Sequence, residues 1–304
     1  MKNYVFDFYS PIALKSYNLD DSMQYQLNIL GSLDVFTRKH SENVGKLVCR
    51  LCEKLHCTAG FTNYCTVCAY LHDIGKQFIP ASVLQKPGKL TDEEYDIMKT
   101  HTTIGYEICM KDEKLRPYAA GPIYHHEALN GFGYPKGLTK EDIPYEGQII
   151  RVADEYDAIS SKRQYKTHIG ISDTIKILIE NATPVKDSNS KYGKNNPLIV
   201  RALIKVVIED IEYEIYSSFE YIKYLKENIK RLNIVKKYDE KRQKANSSSK
   251  KDYFLEGMKC YLIENETTQN YSDILNDYLN AYDKKMNDID HLQSEIKIIK
   301  KLKV

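Results

Sequence analysis

Apolar residues return every three or four positions through most of this 304-residue chain, and no run shows the strict alternation of a half-buried strand. The periodic runs predict helices at about 21–38, 41–56, 62–74, 91–110, 113–127, 146–160, 171–183 and 197–212, which makes the class all-α. Ser41 and Thr91 stand at N-cap positions, and Asp92, Glu93 and Glu94 supply an acidic first turn after Thr91. Pro197 suits the first turn of the helix it opens.

Three stretches break the pattern. Residues 128–145, ALNGFGYPKGLTKEDIPY, hold three glycines and two prolines, so no helix continues through them. A loop of that length inside a helical domain is usually functional, and this one follows His125 and His126 directly. Residues 184–196 read as a polar surface loop, and 239–252, DEKRQKANSSSKKD, as a linker without apolar periodicity. Two further stripes lie beyond residue 212. One is Ile215, Phe219, Ile222, Leu225, Ile229 and Leu232; the other runs from Leu275 through Leu279, Tyr282, Met286, Ile289, Leu292, Ile296 and Ile299 to Leu302. The second stripe suits packing on its own domain and suits equally a coiled coil, as a homodimer or with a partner protein. The expected division is an N-terminal segment 1–20, a catalytic domain 21–212 and a helical extension 213–304.

Composition narrows the class. Charged residues are 28% and hydrophobic ones 42%, a globular balance, and a net charge of +2 gives no basic face for DNA or RNA. No apolar run is long enough to span a bilayer, and Asp7, Pro11 and Lys15 interrupt any signal-peptide core at the start. Seven cysteines, an odd number, fit a reducing compartment, so a cytoplasmic location is expected. Cys49-x-x-Cys52 and Cys65-x-x-Cys68 have zinc-ribbon spacing, but they fall within helical apolar runs, so they are read as core residues.

The chemistry-bearing residues gather in one window: His40, His72–Asp73, His101, His125–His126 and Asp154. Seven imidazole and carboxylate ligands exceed what one tetrahedral ion takes, and they suit a dinuclear site for borderline-hard divalent cations. Asp157, three residues after Asp154, shares its helical face, either to orient a ligand or nearby Lys76, or to steer protons from a metal-bound water, or as a solvated surface aspartate. His56, His168 and His291 lie outside the window and are given no catalytic role.

The strings AYLHDIGK (69–76), YHHEALNGFGYPKGL (124–138) and VADEYDAISSKRQYK (152–166), with His101 between the first two, resemble the HD-GYP family. These are phosphodiesterases for cyclic dinucleotides, chiefly cyclic di-GMP, within the HD phosphohydrolases. The resemblance covers about residues 30–212. It implies a helical bundle whose Gly-Tyr-Pro loop arches over a dinuclear centre. The HD ligands then fall on His40, His72, Asp73 and Asp154, with Asp73 bridging, and the additional histidines on His101, His125 and His126. Iron or manganese is the metal the resemblance implies. Relatives that hold a third metal use a glutamate four residues before the first histidine; Phe36 stands there, so two metals are expected. Asn130 replaces the usual aspartate before Gly131, which removes a charge and keeps the turn.

The implied reaction is hydrolysis of cyclic di-GMP to linear pGpG, and onward to GMP, by a metal-activated water. Asp73, Lys76 and Asp157 are the catalytic candidates. Lys76, Arg163 and Lys166 are assigned to phosphate, and Tyr134 to a guanine face or a phosphate, against plain packing beside Pro135. Three alternatives stand beside this reading: a nucleotide-binding sensor without turnover, a phosphodiesterase for another cyclic dinucleotide such as cyclic GMP-AMP, and a di-iron oxygenase, against which the loop and the basic residues argue. Too few residues precede the first helix for a receiver domain, so any regulatory input is expected in 213–304.

Overall fold

The computed structural model describes residues 35–160, 169–185 and 190–304, with side chains from Thr37 onward. The helices are α1 (Val35–Lys54), α2 (Ala59–Leu71), α3 (Ala81–Leu84), α4 (Asp92–Lys99), α5 (His101–Lys111), α6 (Ala120–Tyr124), α7 (Tyr145–Ser160), α8 (Ile171–Ala182), α9 (Pro197–Gln243), α10 (Ser248–Lys259) and α11 (Tyr271–Ile299). Short 3₁₀ turns occupy Ile74–Phe78 and Arg116–Tyr118. Among the described residues there is no strand, only one isolated bridge between Asn130 and Thr139. None of these helices is long and apolar enough to cross a membrane.

The residues divide into two units, one ending at Val207 and including Lys301–Val304, the other running from Ile208 to Lys300. In the first, α2 starts at the Thr58 cap, whose hydroxyl accepts from the Phe61 amide, and its apolar face joins α5 and the following turn. Val67, Tyr70, Leu71, Ile74, Cys109, Leu115 and Ala119 form that core. Cys49, Cys52, Cys65 and Cys68 are all buried, on α1 and α2. In the second unit, Leu232, Val235, Met258, Tyr271 and Leu275 pack together. Glu266, partly buried, takes a two-pronged hydrogen bond from Arg231, which also donates to the Tyr261 carbonyl at 2.7 Å.

Several boundaries differ from the sequence expectation. Ser41 is not a cap: it is buried within α1, where the Arg38–Glu42 pair spans the expected break. Residues 91–110 make two helices, because the Thr100 hydroxyl bonds back to the Ile97 carbonyl and the chain turns before His101. Only α6 and a 3₁₀ turn form within 113–127, where Pro117 and Pro122 each remove a backbone donor. The helix expected to stop at 212 runs on to Gln243, which makes α9 47 residues long. Most of the expected linker 239–252 is helical, leaving only residues 244–247 outside α9 and α10. Its polar residues have partners: Asp239 is buried and accepts from Tyr271 Oη at 3.0 Å and from Arg242 and Gln243. Apolar periodicity misses a segment that is ordered by buried polar pairing. The expected segment 1–20 and most of the helix at 21–38 lie outside the described residues.

Candidate metal centre

Side chains from α1, the end of α2, the start of α5, the end of α6 and the middle of α7 meet at one point in the first unit. His72 is the C-cap residue of α2, so its ring leaves the helix and Nδ1 donates to the Ala69 carbonyl at 2.6 Å. His101, the first residue of α5, donates from Nδ1 to the Met98 carbonyl at 2.6 Å. His125, at the end of α6, has Nδ1 within 3.0 Å of the Gly121 and Pro122 carbonyls. A carbonyl only accepts, so each Nδ1 carries the proton and each Nε2 presents a lone pair. His40 differs, because both of its ring nitrogens face carboxylates: Nδ1 donates to Asp157 at 2.6 Å and Nε2 to Asp154 at 2.9 Å.

Asp73 stands among these rings, fully buried. One oxygen lies 3.2 Å from His72 Nε2 and 3.8 Å from His40 Nε2; the other lies 3.5 Å from His101 Nε2 and 3.9 Å from His125 Nε2. The carboxylate therefore faces two sets of imidazoles with its two oxygens. Lys76 donates to the first oxygen at 2.5 Å. Three ligand groupings have donor atoms all within 4.8 Å of one another: His40–His72–Asp73, His101–His125–His126 and His72–His125–Asp154.

The donor set fits cations. His72 Nε2 and Asp73 Oδ1 are buried without any hydrogen-bond partner, a costly state for polar atoms. His101 Nε2 and His125 Nε2 approach to 3.2 Å, lone pair against lone pair, which a shared positive charge would relieve. Burial lowers the His101 pKa to about 4 and that of His126 to about 3, and drives His125 well down. Burial opposes ionisation of Asp73, but His72 and Lys76 hold its carboxyl well below the usual range. Asp154 is likewise held low against burial by its bond to His40. Burial would lower His40 too, yet the bonds to Asp154 and Asp157 raise it to about 9. Neutral His101, His125 and His126 beside ionised Asp73 and Asp154 are in the protonation states that metal binding requires, whereas His40 would have to give up a proton to a cation.

Of the expected site residues, the structure brings together His40, His72, Asp73, His101, His125, His126, Asp154, Lys76, Asp157 and Tyr134. Asp157 makes no hydrogen bond with Lys76; it accepts one from His40 Nδ1 at 2.6 Å and one from Asn43 at 3.2 Å. Asp157→Asn is expected to weaken metal binding about 10- to 100-fold with the fold retained, because the amide no longer enforces the His40 tautomer. Metal titration of the variant by calorimetry measures this, and an unchanged affinity would refute it. Tyr134 stacks on His126, with ring centroids 4.6 Å apart and 25° between planes. Arg163, Lys166 and His168 lie outside the described residues, as does the side chain of Phe36.

Four supporting residues escaped the sequence reading. Glu127, buried at 1% exposure, accepts from the amides of Lys136 at 2.7 Å and Leu138 at 2.8 Å, closing the glycine-rich loop on the double histidine. The loop needs its glycines: Gly131 has φ +81°, and a Cβ on Gly133 would sit 2.2 Å from the Ala128 nitrogen. Arg151 donates to the His126 carbonyl at 3.2 Å and to Asn195 at 2.9 Å, and Asn195 donates to Glu155 at 2.6 Å. The stretch 184–196 is thus not wholly a surface loop, since Asn195 and Asn196 are buried. A carboxylate next to a ligand pair was the one available signal, at Glu127. Nothing local marked Asn195.

Residues 24–189 match the family model described as HD domain. A cyclic di-GMP phosphodiesterase of Thermotoga maritima is 44% identical over 143 residues, covering 46% of this chain and 39% of that protein. The cyclic di-GMP phosphodiesterase response regulator RpfG of Xanthomonas campestris pv. campestris is 49% identical over 100 residues, 32% of this chain and 26% of its own. The 3′3′-cGAMP-specific phosphodiesterase 2 of Vibrio cholerae serotype O1 is 45% identical over 98 residues, 32% of this chain and 19% of its own. The chain thus spans about two fifths or less of the length of these relatives.

Proposed function

The chain belongs to the HD domain family, with the motif set of its HD-GYP branch, and on that premise we propose that it is a metal-dependent phosphodiesterase hydrolysing cyclic di-GMP to linear pGpG, with GMP as the onward product. The observation that carries the proposal is the Asp73 carboxylate, whose two oxygens face two different groups of imidazole lone pairs. That arrangement suits two divalent ions, which Asp73 would serve together; iron or manganese is the choice that the family resemblance implies. His40, His72 and Asp154 would serve one side, and His101, His125 and His126 the other. When bound, such ions supply an acidified water and offset charge on the phosphoryl oxygens.

The chain's own residues do the rest. The carbonyl and carboxylate partners of Nδ1 hold the imidazoles in one tautomer. Lys76, ion-paired to Asp73 and partly exposed, is placed to meet a phosphate oxygen at the mouth of the site. The loop closed by Glu127 sets Tyr134 against His126 and shields the imidazoles from solvent. Arg163 and Lys166 are proposed as further phosphate contacts. The odd number of cysteines supports a reducing, cytoplasmic setting, and a role in second-messenger signalling follows from the substrate class. Cyclic GMP-AMP is the second reading, supported by the similarity to the cGAMP-specific Vibrio protein. Leu275, Ile289, Leu292, Ile296 and Ile299 of the stripe on α11 are buried within the chain, which favours packing on the chain itself over pairing with a second copy or a partner protein.

Protein purified without air, analysed for metal and offered cyclic di-GMP, cyclic GMP-AMP and their linear products, tests the proposal. Release of pGpG with about two ions per chain is the expected result. Fully loaded protein that opens no cyclic dinucleotide would overturn it.

A further inference from the structure

Helix α4 buries none of its residues. It is nonetheless held firmly: Thr91 and Glu94 form a reciprocal capping box, and Lys86 donates to Glu94 at 2.5 Å. Packing into the core therefore does not explain the aromatic residue at its centre. Tyr95 is 46% exposed, and its ring meets that of Tyr134 at 6.3 Å and 81°, edge to face. Tyr134 in turn lies flat on His126. These three rings form a ladder leading from the imidazole cluster to solvent. Tyr134 itself makes a poor platform for a ligand, since His126 and Tyr95 already occupy its surroundings. Lys99 sets its ammonium 4.9 Å from the Tyr95 ring centre and is anchored by Asp96 at 2.6 Å, which steadies the ring from one side.

We propose that Tyr95, steadied by Lys99, is the base-stacking platform of the substrate site: its exposed ring receives a purine of the cyclic dinucleotide whose phosphate lies at the imidazole cluster. The inference rests on the phosphodiesterase reading and deepens it by naming where a base is held. An aromatic plate accepts any purine face, so Tyr95 raises affinity for cyclic di-GMP and cyclic GMP-AMP alike and does not choose between them. Helix α4 gains a role the core does not give it, and the loop tyrosine becomes the support behind the plate.

The test uses Tyr95→Phe, Tyr95→Leu and Tyr95→Ala in the full chain, with steady-state kinetics and a cyclic dinucleotide in which 2-aminopurine replaces one base. Stacking on an aromatic ring quenches 2-aminopurine fluorescence, whereas mere packing support behind Tyr134 does not. Tyr95→Phe is expected to behave like the parent. Tyr95→Leu and Tyr95→Ala are expected to raise KM about 10- to 100-fold, with kcat within about twofold, and to lose the quench. An unchanged KM and quench in Tyr95→Ala would overturn the platform, as would a fall in kcat at constant KM. If the parent protein turns over no dinucleotide, the phosphodiesterase reading fails separately and the quench still decides. A parent quench lost in Tyr95→Leu then keeps the platform, and no quench in the parent removes it.

Discussion

Asp73→Ala is expected to abolish stoichiometric metal binding and to lower turnover of cyclic di-GMP by about 10³-fold or more, with helicity unchanged. Among the described residues, Asp73 is the one whose two oxygens face both groups of imidazoles, so its loss would remove a ligand from each at once. Loss of a bound cation's charge stabilisation is worth several kcal/mol, and each 1.36 kcal/mol is about tenfold in rate. The substitution also leaves the Lys76 ammonium, 17% exposed, without its partner, and adds repulsion toward any cation nearby. Metal analysis, kinetics and circular dichroism on the same preparation check the prediction. Undiminished activity with full metal would sink the bridging role, and a lost helical signal would show a folding defect instead.

Glu127→Ala is the second large effect expected, and it acts through the loop. The buried carboxylate accepts two backbone amides, from Lys136 and Leu138, across the turn that carries Tyr134. Alanine leaves both amides without an acceptor, at a cost of about 3 kcal/mol for two charge-assisted bonds. Hydrogen exchange at Lys136 and Leu138 should accelerate strongly, and activity should fall about 10- to 100-fold as Tyr134 loses its register over His126. Glu127→Gln keeps one acceptor oxygen and should fall between parent and alanine. Exchange rates in Glu127→Ala that match the parent would show that another group holds the loop.

The ligand set was legible in sequence because histidines and aspartates gather in one window and because that window resembles HD-GYP proteins. Their local setting was not legible: the expected helices 62–74, 91–110 and 113–127 put His72, His101 and His125 in helix interiors, whereas His72 ends α2, His101 begins α5 and His125 ends α6. Helix interiors with an apolar stripe were read well, since burial imposes the 3.6-residue period directly. Polar stretches were read poorly. Residues 239–252 carry no apolar period, yet Asp239 is ordered by Tyr271, 32 positions away. Asn195 looked like loop surface and proved to be a buried link between Arg151 and Glu155.

The chain alone determined the all-α class, the helices with apolar stripes, and which histidines and aspartates converge, because each is written in local spacing or in a motif. Only the tertiary structure decided that Asp157 serves His40 and not Lys76, that Glu127 closes the loop, and that Tyr134 lies on His126 while Tyr95 meets solvent. The physical reason is range. Apolar burial leaves a periodic trace along the sequence, whereas a hydrogen bond or ring contact between distant residues is specified only by where the backbone brings the two groups.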